Sequence, residues 1–188
     1  MVSNPYTLLS QIPQEHAWFT VIDLKDAFWA GPLAEECCDW FAFEWEDLDR
    51  KRKQQLRWTR LPQGFTESPN LFGQALQGLL EQFVPGGEVQ ILQCVDDLLI
   101  SGKEQSEVKT PSIGLLNFLG EKGLKVSWDK LQFVETKVTY LGHIIGRGYK
   151  RLSSERITGL LSIPAPKTRQ DIRKLLGLYG YCKLWLDQ

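Results

Sequence analysis

Apolar side chains are most concentrated in residues 89–100, where Val, Ile and Leu dominate and two adjacent aspartates, Asp96 and Asp97, interrupt them. Glycines lie on both sides of this run, so the pattern predicts two buried strands joined by a tight turn that carries the aspartates. Two interpretations of the pair are open at this point. Aspartate is common in turns because its side chain hydrogen-bonds the local backbone. Adjacent carboxylates also repel one another unless a cation such as Mg²⁺ neutralises them.

A third carboxylate follows a second apolar stretch. Residues 17–22 are β-branched and aromatic and lead into Asp23, which predicts a buried strand with an acidic end. Residues 40–45 and 54–60 predict a hairpin, whose charged loop is either a solvated tip or a phosphate contact. Shorter strands are expected at residues 124–126, 131–134 and 138–145.

Two central segments show the apolar spacing of helices. Ser68 and Pro69 open the first, with Ser68 expected as the N-cap and Pro69 in the first helical position. The second segment covers residues 105–122, and Pro111 falls inside it. We expect a helix that begins at Pro111 with Thr110 as its cap, because a proline in the first turn loses no hydrogen bond. The alternative is a longer helix that is kinked at Pro111.

The two ends of the chain differ in pattern. Residues 1–14 contain two X-Pro steps and no clear period, which predicts an irregular lead-in. From Ser153 onward the pattern is helical, and Pro164-Ala-Pro166 divides it into two helices. The C-terminal part is therefore expected to be mainly helical.

The last predicted helix, residues 168–186, has two distinct faces. The apolar face is expected to pack, and it consists of Ile172, Leu175, Tyr179, Cys182 and Leu186. The other face is basic and small, and it consists of Arg169, Arg173, Gly177 and Gly180. Glycines beside arginines suit either a close sugar-phosphate backbone or a neighbouring helix, and the sequence leaves both open.

The acidic and basic residues are distributed unevenly along the chain. The 188-residue chain has 22 basic and 23 acidic residues, so its net charge of −1 predicts no general affinity for nucleic acid. Residues 1–100 carry 7 basic and 15 acidic groups, whereas residues 137–188 carry 10 and 3. The C-terminal end is thus the better candidate for contact with a polyanion, and a solvated basic face is the alternative.

The compartment is expected to be intracellular, either cytoplasmic or nuclear. The four cysteines form neither a Cys-X-X-Cys motif nor a recognisable disulfide framework, and their positions are Cys37, Cys38, Cys94 and Cys182. No secretory signal pattern is visible, and no apolar run approaches the ~18 residues of a membrane span. We therefore expect neither secretion nor membrane insertion.

Three carboxylates at strand ends define the candidate chemistry. Asp23, Asp96 and Asp97 would meet at one edge of an antiparallel sheet that is covered by helices, in an α+β, palm-like core. Such a set suits two Mg²⁺ ions about 4 Å apart, which align an attacking oxygen, a phosphorus and a leaving oxygen. The pattern therefore favours nucleotidyl transfer.

Several blocks of the sequence then identify a family. They are residues 19–28 (FTVIDLKDAF), 57–70 (RWTRLPQGFTESPN), 95–99 (VDDLL), 140–143 (YLGH) and 173–177 (RKLLG). In this order they closely resemble the reverse transcriptases of gammaretrovirus-like viruses and related endogenous retroviruses. The resemblance covers essentially the whole chain. It implies a lead-in at 1–16, a right-hand polymerase palm at 17–148 with a partial fingers hairpin at about 36–62, and a mainly helical thumb at 149–188.

The resemblance also implies roles for individual residues. Asp23, Asp96 and Asp97 become the catalytic, metal-binding set for two Mg²⁺ ions, with Mn²⁺ also possible. The implied nucleotide-binding residues are Asp26, Ala27, Phe28, Gln63 and Gly64, and the ring of Phe28 would exclude a 2′-hydroxyl. The implied primer and template contacts are Cys94, Arg169, Arg173 and Gly177. The implied partners are an RNA or DNA template-primer duplex and deoxynucleoside triphosphates.

Two departures from the family pattern lower the expected activity. Cys94 stands where the family has tyrosine, and a thiol lacks the tyrosine ring and its hydroxyl. The chain also begins after the fingers region that carries the family's triphosphate-binding cations, and it ends before the connection and RNase H regions. We therefore expect a fragment with weak or no polymerase activity.

Two alternative functions accompany this expectation. A non-catalytic nucleic-acid-binding remnant would use the basic C-terminal part. An interaction module would associate with longer polymerase chains through apolar surface that the truncation leaves uncovered.

Overall fold

The computed structural model describes residues 4–185. Its helices are α1 (Pro5–Leu9), α2 (Ala27–Ala30), α3 (Glu35–Cys38), α4 (Ser68–Leu80), α5 (Gln105–Glu121), α6 (Ser154–Leu161) and α7 (Arg169–Lys183). Its strands are β1 (Trp18–Lys25), β2 (Ala42–Asp47), β3 (Arg52–Arg57), β4 (Gln90–Cys94), β5 (Asp97–Gly102), β6 (Lys125–Val126), β7 (Gln132–Glu135), β8 (Lys137–Tyr140), β9 (His143–Gly146) and β10 (Tyr149–Leu152). The expected α+β class is confirmed.

The central sheet is built around β1. Its strand order is β4-β5-β1-β6, and β7 also pairs with β1, with every pairing antiparallel. A sheet that is apolar on both faces must be covered on both. Helices α4 and α5 cover one face, where the core includes Ile22, Leu98, Ile100, Leu76, Leu115 and Leu119. The other face packs on α1 and a second sheet, with a core that includes Phe19, Val21, Leu99, Leu9, Tyr140 and Ile145.

Two smaller sheets complete the fold. Strands β8, β9 and β10 form an antiparallel three-stranded sheet in the order β10-β9-β8. Strands β2 and β3 form a separate hairpin in which almost every residue is exposed. Within residues 4–185, no helix has the length and apolar character needed to span a membrane.

The expected single strand at residues 138–145 is wrong, because the structure has a hairpin there. Strands β8 and β9 are joined by Leu141 and Gly142, which both have positive φ, at 52° and 74°. An added Cβ at Gly142 would also lie 2.9 Å from the Arg156 guanidinium. Because glycine has no Cβ, Gly142 avoids both the backbone strain of a positive φ and the contact with Arg156. The continuous apolar pattern of residues 138–145 gave no signal for this turn.

The expected start of α5 at Pro111 is also wrong. The helix begins at Gln105 and runs through Pro111. A capping box fixes this start, because Glu104 and Glu107 each accept a hydrogen bond from the other's backbone N–H. Pro111 is buried, so packing outweighs the backbone hydrogen bond that its ring removes.

Two further local expectations need correction. The lead-in is not irregular throughout, since α1 forms there with Asn4 as its N-cap and buries Leu8 and Leu9. Ser68 is the first residue of α4 rather than its cap, which is Glu67. Its hydroxyl instead donates a buried hydrogen bond to the carbonyl of Pro62 at 2.8 Å.

The expectation that the apolar face of α7 packs on the core is wrong for most of its length. Ile172, Leu175 and Tyr179 are 46%, 39% and 63% exposed. Cys182, near the C-terminal end of the helix, is packed against the core. Leu186 lies outside the described residues. The division at residues 16, 148 and 188 stays a prediction.

Candidate active site

Strand pairing brings the three aspartates to one end of the central sheet. Asp23 near the end of β1 lies directly opposite Asp97, the first residue of β5. Asp96 occupies the two-residue turn after Cys94, together with Val95, whose φ is 58°. The amide of Leu24 donates to the carbonyl of Asp96 at 3.2 Å, which ties this turn to β1. The expected grouping of the aspartates is therefore present in the backbone register.

Burial and mutual repulsion disfavour the charged forms of two of these carboxyls. Burial raises the pKa of Asp97 to about 6, and the charges of Asp96 and Asp23 add to the rise. A side-chain hydrogen bond with Asp23 adds to the rise in the pKa of Asp97. Burial likewise raises the pKa of Asp96, partly opposed by a hydrogen bond from its own backbone. The site therefore attracts positive charge.

Lys130 supplies one such charge from a distant part of the chain. Its Nζ donates to both carboxylate oxygens of Asp23, at 3.4 and 3.3 Å. Lys130 belongs to the 3₁₀ turn Trp128–Lys130 that follows β6. Sequence reasoning missed this residue because a lysine in a turn carries no signal until the pairing of β6 with β1 is known.

The donor set fits a hard divalent cation. Carboxylate oxygens are the ligands that Mg²⁺ and Mn²⁺ prefer. Within residues 4–185, however, no three Asp, Glu, His or Cys side chains are arranged tightly enough to form a ready metal site. The ammonium of Lys130 occupies both Asp23 oxygens that a cation would use. A cation would thus replace positive charge that the site already holds.

The implied nucleotide-binding residues lie in two places. Asp26, Ala27 and Phe28 follow β1 directly, and Asp26 has a left-handed backbone with φ 53° at the start of α2. Phe28 is half-buried and meets Phe72 edge-on, with ring centroids 5.9 Å apart. Its ring is therefore held by packing, as its implied role beside the nucleotide requires.

Gln63 and Gly64 lie in the turn between β3 and α4. Both are exposed, and Gly64 has φ 91°, which a side chain would strain. The turn is anchored beneath them by the hydrogen bond from Ser68 to Pro62. Their assignment to the nucleotide stays a prediction.

Cys94 lies beside the carboxylates at the end of β4. Burial raises the pKa of its thiol, and Asp97 and Asp96 add to the rise, so the thiol stays neutral. Buried Tyr140 reaches the same point from β8, where its hydroxyl donates to the carbonyl of Asp97 at 3.1 Å. Tyr140 thus supports the backbone under the site, a role that sequence reasoning did not assign.

Arg169, Arg173 and Gly177 lie together on one exposed face of α7. An added Cβ at Gly177 or Gly180 would meet nothing within 4 Å. These glycines therefore seat no neighbouring helix among the described residues. Of the two interpretations left open by the sequence, the geometry favours a surface that is free for a partner.

Comparison with known proteins decides the family. The family model described as reverse transcriptase (RNA-dependent DNA polymerase) matches residues 5–145. The chain belongs to the reverse transcriptase family. The resemblance inferred from the sequence blocks is confirmed.

Viral polyproteins are among the reverse transcriptase relatives. The chain is 47% identical to the Gag-Pol polyprotein of avian reticuloendotheliosis virus over 186 residues, which are 98% of this chain and 16% of that protein. It is 45% identical to the Pol polyprotein of feline endogenous virus ECE1, again over 98% of this chain but 18% of that protein. The chain therefore spans less than a fifth of these relatives.

Solved reverse transcriptase structures share the fold. A foamy viral protease-reverse transcriptase in complex with an RNA/DNA hybrid matches with a TM-score of 0.76 and 31% identity, over 96% of this chain and 23% of that one. A complex of the foamy viral enzyme with double-stranded DNA matches with a TM-score of 0.72 and 34% identity, over 88% of this chain and 32% of that one.

Proposed function

We propose that the chain is the palm and thumb part of an RNA-directed DNA polymerase of endogenous retroviral origin. The observation that carries this proposal is the register that sets Asp23 opposite Asp97, with Asp96 in the adjoining turn. Buried carboxyls whose pKa values are raised by one another are suited to binding cations. Membership of the reverse transcriptase family supplies the reaction class.

Asp23, Asp96 and Asp97 would hold two Mg²⁺ ions, or Mn²⁺ in their place. Bound ions of this kind stabilise negative charge on a phosphoryl group and make a hydroxyl a better nucleophile. The protein's own contribution is to place the carboxylates on paired strands. Lys130 would leave Asp23 when a cation binds there and become free to contact a phosphate oxygen.

The nucleotide would lie beside α2. The backbone of Asp26 and Ala27 would face the triphosphate, and the packed ring of Phe28 would exclude a 2′-hydroxyl and so select deoxynucleotides. Gln63 and Gly64 would border the nucleotide and template from the exposed turn before α4.

A template-primer duplex would contact α7. The related foamy viral enzyme is described in complexes with double-stranded DNA and with an RNA/DNA hybrid. The open face of Arg169, Arg173 and Gly177 offers cations next to an uncovered helix backbone, which suits a sugar-phosphate chain.

We expect weak activity from this chain because of Cys94. A neutral, half-buried thiol beside Asp97 supplies neither the ring nor the hydroxyl that the family pattern has there. A primer end that lacks this support is positioned less well, and poor positioning lowers the rate without changing the chemistry.

Primer extension on an RNA template in Mg²⁺ tests the proposal. The unmodified chain should add the templated deoxynucleotide, and Asp96→Asn should lower the rate by about 10²-fold or more. The matched control is Asp129→Asn, which removes an exposed carboxylate from the neighbouring turn and should leave the rate unchanged. Equal incorporation by the unmodified and Asp96→Asn proteins would reject the proposal.

The open face of α7 favours a second candidate function, which is duplex binding without catalysis. Binding should weaken steeply with salt, because each phosphate contact releases counterions. Arg169→Ala with Arg173→Ala should weaken binding and flatten that salt dependence. Lys109→Ala with Lys137→Ala removes two exposed charges from α5 and β8 and is the control. Binding that responds to neither salt nor the arginine pair would reject this candidate.

A further inference from the structure

A cavity of about 500 Å³ lies between α2, α4 and the segment that joins α5 to β6. Cavities of about 300–1,000 Å³ suit small organic ligands. None of the three catalytic aspartates lines it, and neither do Phe28, Gln63 and Gly64. The cavity therefore adjoins the polymerase site described above, and Asp26 is the one residue assigned to that site that also lines the cavity.

The charged lining of the cavity is strongly basic. Four cations face one carboxylate, that of Asp26, and they are Lys25, Arg60, Lys122 and Lys125. Arg60 donates to the carbonyl of Ala30 at 3.3 Å, and Lys122 donates to Gln82 at 3.3 Å, so both are held in place by neutral partners. Neither Arg60 nor Lys122 forms an ion pair with any residue in the described range 4–185.

Lys25 and Lys125 place two positive charges side by side in this lining. They lie directly opposite one another in the β1–β6 pairing. Like charges in that position destabilise a sheet. In the part of the chain that the structure describes, neither lysine forms an ion pair or a side-chain hydrogen bond. A ligand with several negative charges would relieve this repulsion, whereas a single carboxylate would neutralise only part of it.

The rest of the lining is apolar. Its floor is formed by Phe72, Leu76, Leu79 and Leu124, and Trp29 lies at the edge with 45% of its surface exposed. A flat indole that is open to solvent beside fixed cations is suited to stacking on a heterocyclic ring. The cavity thus combines a polyanion contact with an aromatic contact.

We propose that this cavity binds a nucleoside polyphosphate, separately from the nucleotide that the polymerase site would use. The phosphate chain contacts Lys25 and Lys125, with Lys122 and Arg60 beside them. The base lies on the apolar floor against Trp29. This binding needs neither a divalent cation nor the catalytic aspartates, so it does not depend on the function proposed above.

Equilibrium dialysis of radiolabelled ATP against the full chain, in EDTA, tests the proposal. EDTA removes cations from the polymerase site, so that metal-dependent binding does not contribute. Saturable binding to one site is expected. Lys25→Gln with Lys125→Gln should weaken it at least tenfold, and Trp29→Leu should weaken it severalfold. Lys109→Gln with Lys137→Gln is the charge-matched control and should bind as the unmodified protein does.

The remaining arms separate this site from the polymerase site and from other anions. Asp97→Asn should bind ATP normally, and circular dichroism should show that every variant is folded. Loss of binding in Asp97→Asn, or unchanged binding in the Lys25 and Lys125 variant, would overturn the proposal. Competition by adenosine as strong as by ATP would overturn the role of the lysines. Equally strong competition by pyrophosphate would overturn the assignment to a nucleoside ligand.

Discussion

Asp97 combines three features that together favour its neutral form. It is partly buried, it faces Asp23 across the β1–β5 pairing, and it follows Asp96 in the chain. Its pKa is therefore raised to about 6 from the ordinary 3.8. Because the folded protein holds this proton more tightly than the unfolded chain does, the group contributes stability below pH 3.8, and that contribution is lost as the pH rises through 6.

Asp97→Asn should therefore stabilise the cation-free protein at neutral pH. The amide cannot ionise and can still donate to Asp23. The free energy of unfolding should rise by about 1–3 kcal/mol at pH 7.5 and by much less at pH 4. Urea unfolding in EDTA at the two pH values measures this difference. An equal effect at both pH values would show that ionisation of the Asp97 carboxyl is not its source.

The sequence pattern predicted the three aspartates of the candidate site but not Lys130. Asp23, Asp96 and Asp97 each follow an apolar stretch, and that pattern places them at strand ends. Lys130 reaches Asp23 only because β6 and the 3₁₀ turn after it return to the end of β1. The sequence predicts a strand at residues 124–126, but it does not show that this strand pairs with β1.

At the scale of elements, the stability of α7 depends more on the hydrogen bonds that cap its end than on packing of its side chains. None of its residues from Arg169 to Lys183 is buried. Its N-terminus has a capping box, in which Thr168 accepts from the amide of Asp171 at 3.1 Å and the Asp171 carboxylate accepts from the amide of Thr168 at 3.0 Å. These bonds lower the pKa of Asp171 as well. Local hydrogen bonds therefore matter more here than they do in a packed helix.

Thr168→Ala should loosen α7 without unfolding the rest of the protein. Loss of an N-cap costs about 1 kcal/mol, and α7 has few buried contacts to share that cost. Amide hydrogen exchange should become several times faster in α7 and stay unchanged in α5. Thr110→Ala, which alters an exposed threonine within α5, is the control. Faster exchange throughout the protein would contradict this view of α7.

Sequence patterns predicted elements well where local spacing decided them and poorly where packing did. The hairpin at residues 89–100 and the division of the last two helices at Pro164-Ala-Pro166 follow from local chemistry alone. Pro111 is tolerated inside α5 because it is buried, and a sequence does not show which proline will be buried. The apolar face of α7 is exposed for the same reason: periodicity shows that a face is apolar, not that a partner covers it.

At the scale of the whole molecule, the two histidines make the free energy of unfolding depend on pH. His16 is buried and hydrogen-bonded to Ser101 at 2.9 Å, and His143 lies under Trp185 with ring centroids 4.0 Å apart. Burial lowers the pKa of each below 6.5. For His143, Arg156 also disfavours the charged ring, and within residues 4–185 its Nε2 has no hydrogen-bond partner. Both rings are therefore held neutral.

The contribution of the histidines to stability should accordingly decrease as the pH falls below 6.5, whereas that of Asp97 increases. The unfolded chain takes up protons at its histidines near that pH, whereas the folded protein takes them up only at the lowered pKa values. The stabilising contribution is thus complete above pH 6.5 and disappears as the pH drops. Urea unfolding of the unmodified protein and of His143→Gln at pH 7.5 and 5.5 checks this. A histidine variant with the same pH dependence as the unmodified protein would contradict it.

The central claim is that the carboxylates at the meeting of β1 and β5 catalyse templated DNA synthesis and that Cys94 limits their rate. Single-nucleotide incorporation by Cys94→Tyr in Mg²⁺, compared with Cys94→Tyr that also carries Asp97→Asn, tests it most directly. The first protein should add the complementary deoxynucleotide faster than the unmodified chain does. The second should be slower than the first by about 10²-fold or more. Equal incorporation by the two proteins, or none by Cys94→Tyr, would contradict the account.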